Sequence, residues 1–161
     1  MFLSHARAAL VAATLTTFAL PAFAHDHAAS AGAQLGEIEI SGAFTRATLP
    51  GAPVGGGYLV ITNHGETDDR LVSGEATFAN EVQVHEMAVV NDVMQMRERS
   101  DGIVIPAGES VELKPGGFHL MFMGLTTALV EGETVTVSLE FENAGSVNVD
   151  FAVEATGARA A

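Results

Sequence analysis

From residue 37 onward, short runs rich in β-branched and aromatic residues alternate with turn signals, and no stretch repeats its apolar positions with a helical period. Strands are predicted over residues 38–41, 57–63, 70–75, 82–89, 93–97, 110–114, 118–123, 134–140 and 146–153. Turn chemistry stands between them: Asn63-His64-Gly65, Asn91-Asp92, Pro106-Ala107-Gly108, Pro115-Gly116-Gly117 and Asn143-Ala144-Gly145. Alternation is cleanest at Val135-Thr136-Val137-Ser138-Leu139-Glu140-Phe141, where odd positions are apolar and even ones polar, as in a strand with one buried and one wet face. Many short strands at this spacing predict an all-β sandwich or barrel.

The ends depart from this pattern. Residues 1–7 carry the amine and Arg7, residues 8–20 form an apolar run, and Pro21-Ala22-Phe23-Ala24 offers a small-x-small cleavage site. The expectation is a signal peptide over 1–24, cut after Ala24, and export from the cytoplasm. The apolar run is too short to span a bilayer, and no later segment is long enough. Residues 25–36 are small and polar and read as a flexible tail. The β-domain is expected over 37–155, with a short tail over 156–161.

Composition narrows the chemistry. There is no cysteine, which excludes a disulfide, a thiolate metal site, a cysteine nucleophile and a lipidated cysteine. Seven Lys and Arg face 20 Asp and Glu, a formal net charge of −13, so nucleic acid is not an expected partner. With no Trp and one Tyr, the chain lacks a stacking platform for sugars or bases.

Methionine placement carries the strongest signal. Beyond residue 24 every methionine lies between positions 87 and 123: Met87, Met94, Met96, Met121 and Met123. His85 and His119 belong to the same segment. If Asn91-Asp92 is a two-residue hairpin turn, Val90 opposes Val93 and Met87 opposes Met96. His85, Met87 and Val89 then share a face with Met94, Met96 and Glu98, with His85 diagonal to Met96. A one-residue slip would reverse every side chain. His119, Met121 and Met123 likewise share a face of the later strand. Imidazole plus thioether without thiolate is a soft, neutral donor set that suits Cu(I) and not Mg²⁺ or Ca²⁺; zinc rarely takes a thioether. A blue-copper centre needs a cysteine sulfur, so carriage of copper fits better than electron transfer.

The run HEMAVVNDVMQMRERSDGIVIPAGESVELKPGGFHLMFMGL resembles the PCu(A)C copper chaperones, whose signature is H-x10-M-x21-H-x-M. The upstream run FTRATLPGAPVGGGYLVITNHGETDDRLV is similar to the family's opening. Ten residues separate His85 from Met96, and His119 with Met121 forms the H-x-M. The middle gap is 22 residues, one more than the pattern, which places a small insertion in the 97–103 connection and keeps Met94 as an alternative to Met96. The resemblance implies a cupredoxin-like Greek-key β-sandwich in the periplasm, with one Cu(I) per chain held by His85, Met96, His119 and Met121. Met87, Met94 and Met123 are secondary candidates; Met87 and Met94 also read as gap fillers or as lining for the approach to the metal, and Met123 as core. The expected mature N-terminus, His25-Asp26-His27, has the pattern that wraps Cu(II) in a square plane. His64 reads as a solvated turn residue, and Arg46, Asp69 and Arg70 as ion-pair or loop braces. Gly55-Gly56-Gly57 lacks the following Lys-Ser/Thr of a phosphate loop.

The resemblance therefore implies a metallochaperone, not an enzyme, that acts as a monomer. It would pass Cu(I) to a respiratory-oxidase assembly protein of the Sco type or to a CuA subunit. A protein that sequesters copper for tolerance would use the same residues. A copper monooxygenase built on the mature His25 is disfavoured by the loose tail and the missing flat aromatics. A metal-free structural sandwich would treat the methionines as packing alone.

Overall fold

Alternating apolar positions on every long strand oblige the sheet to bury one face, and here the sheet does so by closing on itself. The computed structural model describes residues 32–159. The expected leader 1–24, His25, His27 and residues 160–161 lie outside the described residues. The strands are β1 (Ala33–Leu35), β2 (Ile38–Arg46), β3 (Val54–Asn63), β4 (Asp69–Glu75), β5 (Ala79–Val90), β6 (Val93–Glu98), β7 (Ile103–Ile105), β8 (Ser110–Leu113), β9 (Phe118–Leu125), β10 (Thr134–Phe141) and β11 (Gly145–Glu154). Among the described residues there is no helix, as the all-β reading requires.

Pairing runs β2–β11–β10–β4–β5–β9–β3 and returns from β3 to β2, which closes a flattened barrel or sandwich. β1, β6, β7 and β8 attach to its rim through β2, β5, β4 and β3. The β2–β11 ladder is parallel (Phe44 beside Ala152, Arg46 beside Glu154) and the other ladders are antiparallel. Inside lie Ile40, Leu59, Ile61, Leu120, Val137 and Leu139, all essentially inaccessible. Phe122 sits edge-on to both Phe78 and Phe151, with ring centroids 5.0 and 6.1 Å away. Full burial of each such side chain contributes about 1.5–3 kcal/mol.

Three features differ from the sequence pattern. Ala33–Leu35, expected in the tail, pairs with Ile38–Ile40 around Gly36-Glu37, and Ala33 and Leu35 pack on the core. The domain therefore begins before residue 37. Ile103–Ile105 is a strand too short to display a period, yet Ile103 and Ile105 are core residues and the segment pairs with β4. Beyond residue 155, Ala158 is tied back through its carbonyl, which accepts from Arg46 Nε at 2.8 Å. That guanidinium also lies 5.4 Å from the Tyr58 ring centroid. Asp69 is buried and braces the β10–β11 turn, accepting from the backbone N–H groups of Asn143 and Ala144 at 2.9 Å each. Arg70 pairs with Glu142 at 3.2 Å, and His64 Nε2 lies 2.7 Å from Glu39 Oε2 on the surface.

Gly55-Gly56-Gly57 is not a loop but the start of β3. A Cβ on Gly57 would stand 2.7 Å from Phe122 Cζ, and one on Gly56 would stand 2.7 Å from the Tyr58 hydroxyl. The missing side chains let β3 lie against the core aromatic on one side and under Tyr58 on the other. Gly57→Ala is therefore expected to destabilise the fold by about 1–3 kcal/mol through overpacking. Gly157→Ala, with nothing within 4 Å of the added Cβ, should change stability by no more than about 0.5 kcal/mol. Denaturant unfolding of the two variants checks this; equal midpoints would contradict the close packing at Phe122.

Candidate metal centre

The β5–β6 turn fixes the site. Asn91 and Asp92 both have positive φ, 52° and 61°, the backbone of a type I′ hairpin turn, whose twist matches the flanking strands and which Asn and Asp tolerate. Val90 accordingly pairs with Val93, Met87 with Met96 and His85 with Glu98. On its other edge β5 pairs with β9, which sets His85 opposite His119, Gln83 opposite Met121 and Glu81 opposite Met123. Directly paired residues share a face. Val82, Val84, Leu120 and Phe122 point into the core, so His85, Met87, Met94, Met96, His119, Met121 and Met123 all lie on the opposite, outward face.

Register then ranks the candidates. The imidazoles of His85 and His119 are 5.7 Å apart between ring centroids and inclined at 48°. Met96 flanks His85 diagonally from β6, and Met121 flanks it diagonally from β9, each about 7–8 Å away between backbones and within reach of a long side chain. Met94 is one further pair along, roughly 14 Å from the position opposite His85, so the register favours Met96 over Met94. Met87 stands directly opposite Met96. Met123, expected in the core, is half-buried on the outward face, because Phe122 takes the inward position. On the far side of Met121 the paired residue of β3 is Gly56, which adds no side chain to that edge.

Burial is graded across the cluster. His119 is buried at 6% exposure, His85, Met87 and Met121 are half-buried, and Met96 and Met94 are 49% and 56% exposed. The methionine side of the cluster is open to solvent, and a surface cavity of about 690 Å³ beside Asn63 and Asp69 is separate from it.

Hydrogen bonds set the tautomers. His119 Nδ1 donates to the Gly117 carbonyl at 3.1 Å, which leaves the lone pair on Nε2. His85 Nε2 donates to Gln83 Oε1 at 2.8 Å, which leaves the lone pair on Nδ1. That Nδ1 is buried and has no partner. A buried acceptor without a partner costs about 1–3 kcal/mol, and a bound cation is a partner that would remove the cost. The pKa of His85 is held below its ordinary value of 6.5 by burial first and by His119 second, with Glu98 opposing. Both effects keep a neutral imidazole, the form that binds a metal. Among the described residues no three His, Cys, Asp or Glu side chains converge; two imidazoles with flanking thioethers form a soft donor set that matches Cu(I).

Gln83 and Gly117 were not singled out as part of the site by the sequence pattern, and Glu98 was placed on its face without a role. Gln83 and Gly117 nonetheless stand two residues before His85 and His119, the spacing that returns to the same face of a strand. Glu98 follows from the hairpin register.

Comparison with known proteins agrees with this picture. The LpqE-like family model, described as "Putative lipoprotein LpqE-like", matches residues 38–153. The protein "Putative lipoprotein Lxx21020" of Leifsonia xyli subsp. xyli (strain CTCB07) is 31% identical over 123 residues, covering 76% of this chain and 73% of its own. The copper-bound PCuAC domain from PmoF2 superposes with a TM-score of 0.66 at 28% identity, over 78% of this chain and 98% of that domain. The solution structure of CuI-DR1885 from Deinococcus radiodurans superposes with a TM-score of 0.56 at 25% identity, over 81% and 85% of the two chains. With its strands closing as in those cupredoxin-like domains and the family model spanning most of its length, this chain belongs to the LpqE-like family, the PCuAC family of copper chaperones.

Proposed function

We propose that this protein is an exported, periplasmic Cu(I) metallochaperone that binds one ion through His85, Met96, His119 and Met121. The observation that carries the reading is the direct pairing of two imidazoles, one with an orphaned buried Nδ1, flanked by a thioether on each side. His85 would bind through Nδ1 and His119 through Nε2, the atoms their hydrogen bonds leave free. The copper-bound and CuI-bound relatives support the choice of ion. The lipoprotein names of the matched family and relative support export; the cut after Ala24 rests on the small-x-small pattern of Ala22-Phe23-Ala24 alone.

Delivery is favoured over sequestration by exposure. A storage site gains from enclosing its ion, whereas Met96 is half open to solvent. An acceptor's ligands can displace Met96 while the histidines still hold the ion, and Cu(I), with no d-electron geometric preference, tolerates the change of ligand number. No catalytic group is required by this cycle. The acceptor in this reading is a copper site of respiratory oxidase assembly, either the CuA subunit or a Sco-type protein. The His25-Asp26-His27 terminus is proposed as a separate Cu(II) site on the tail.

Competition of Cu(I) between the protein and a chelator tests the ligand set. Native protein is expected to hold one equivalent. Met96→Ala or Met121→Ala should weaken retention by at least about tenfold, or ~1.4 kcal/mol, and the double variant His85→Ala/His119→Ala should lose the site. The exchange Gln95→Met/Met96→Gln keeps composition but moves the thioether to the other face and should behave like Met96→Ala. Met94→Leu should retain copper, and a loss there equal to that of Met96→Ala would overturn the assignment.

The lowered pKa of His85 gives a pH dependence with a definite sign. Protons compete with copper for His85 Nδ1 only below the ordinary value of 6.5, so the part of Cu(I) retention that His85 supplies should hold above it and decline beneath. For the metal-free protein the unfolded chain takes up the proton first, so stability is fully present above 6.5 and falls as pH drops through the window below it. Imidazole NMR titration checks the order: a His85 midpoint above 6.5 would contradict it.

A further inference from the structure

The outward face holds more sulfur than the four-ligand site uses. Met87 is directly opposite Met96 across the hairpin, and Met94 lies two residues along β6 on the same face. These three thioethers form a contiguous group at the exposed end of the hairpin, beyond the histidines. Their setting is unusual for methionine: Met94 is 56% and Met96 49% exposed, and Val89 and Val93 beside them are 66% and 56% exposed. All of β6 faces solvent and pairs with β5 alone. Exposed Met and Val of this kind contribute little to folding, because the area they remove from water is small. A packing role therefore does not account for Met94 and Met96, and the half-buried Met87 stands directly opposite Met96.

We propose that Met87, Met94 and Met96 form a second, weaker Cu(I) station at the hairpin tip, through which the ion enters and leaves the histidine pair. The inference rests on the chaperone reading given above and deepens it. Three neutral thioethers are a donor set for Cu(I) or Ag(I) and for no hard cation. Met96 belongs to both stations, since it lies diagonal to His85 and opposite Met87. Movement outward is a ligand exchange at constant oxidation state. Bonds from copper to Met87 and Met94 sulfur form as those to the His85 and His119 nitrogens and Met121 sulfur break. No electron moves, and the incoming thioethers have no proton to lose. The burial gradient, from His119 at 6% exposure to Met94 at 56%, runs along the same route, so the outer station is the one an acceptor or incoming ion meets first.

The test uses full-length protein and Ag(I), a redox-stable stand-in for Cu(I), followed by the methyl resonances of the methionines. In His85→Ala/His119→Ala, Ag(I) is expected to shift Met87, Met94 and Met96 together, leaving Met121 and Met123 unmoved. In Met87→Leu/Met94→Leu, equilibrium retention of one Cu(I) should match the native protein, while the rate of release to an external chelator falls several-fold. Silent Met87 and Met94 methyls, shifts confined to Met96 and Met121, or an unchanged release rate would each overturn the outer station. Failure of native protein to hold one Cu(I) would instead overturn the four-ligand reading, so the two failures are distinguishable.

Discussion

The antiparallel pairing of β5 with β9 is the constraint on which the rest depends. Because side chains alternate, one ladder does two things at once. Its inward positions, Val82, Val84, Leu120 and Phe122, tie the ring of strands to its core. Its outward positions bring His85 and His119 face to face. Shifting that ladder by one residue would bury the imidazoles and expose Leu120 and Phe122, so the hydrophobic energy of the barrel enforces the geometry of the cluster. The histidines need no loop to position them, and each is oriented by a group two residues upstream: Gln83 for His85 and the Gly117 carbonyl for His119.

The hairpin adds the adjustable part. β6 contributes nothing to the core, and all six of its residues are exposed. Its register comes from the left-handed Asn91 and Asp92 and from its ladder with β5. A rigid histidine pair beside a solvent-exposed methionine strand suits a protein that must hold an ion securely and still give it up. Thioethers add to this because they carry no proton in the working range, so only the imidazoles couple binding to pH. The low proton affinity of His85, set by burial and by its neighbour, keeps that coupling below neutrality.

Much of this was legible in the sequence, and for local reasons. Asn91-Asp92 between apolar runs specified a two-residue turn, and the turn alone specified which residues face Met96. Long alternating strands such as β10 were plain. What escaped notice lacked a period to read. Ile103–Ile105 has three residues, too few to alternate visibly. Ala33–Leu35 is built from small and polar residues whose strand state comes from pairing with β2. The third strand was predicted to begin only at Gly57 and not at Val54, because only the packed structure shows that Phe122 and Tyr58 occupy the space that side chains at 56 and 57 would need. Met123 was misplaced for a related reason: being apolar and next to Gly124-Leu125 suggested core, but alternation from Phe122 turns it outward. Gln83 could have been named from the same face-sharing rule that linked His85 to Met96 and Glu98.

X-ray absorption at the copper edge of protein loaded with one equivalent of Cu(I) tests the central claim most directly. The account requires a mixed shell of two imidazole nitrogens and two thioether sulfurs, with the sulfur contribution reduced in Met96→Ala. A shell of nitrogen and oxygen alone, or a spectrum unchanged by removing Met96, would contradict it.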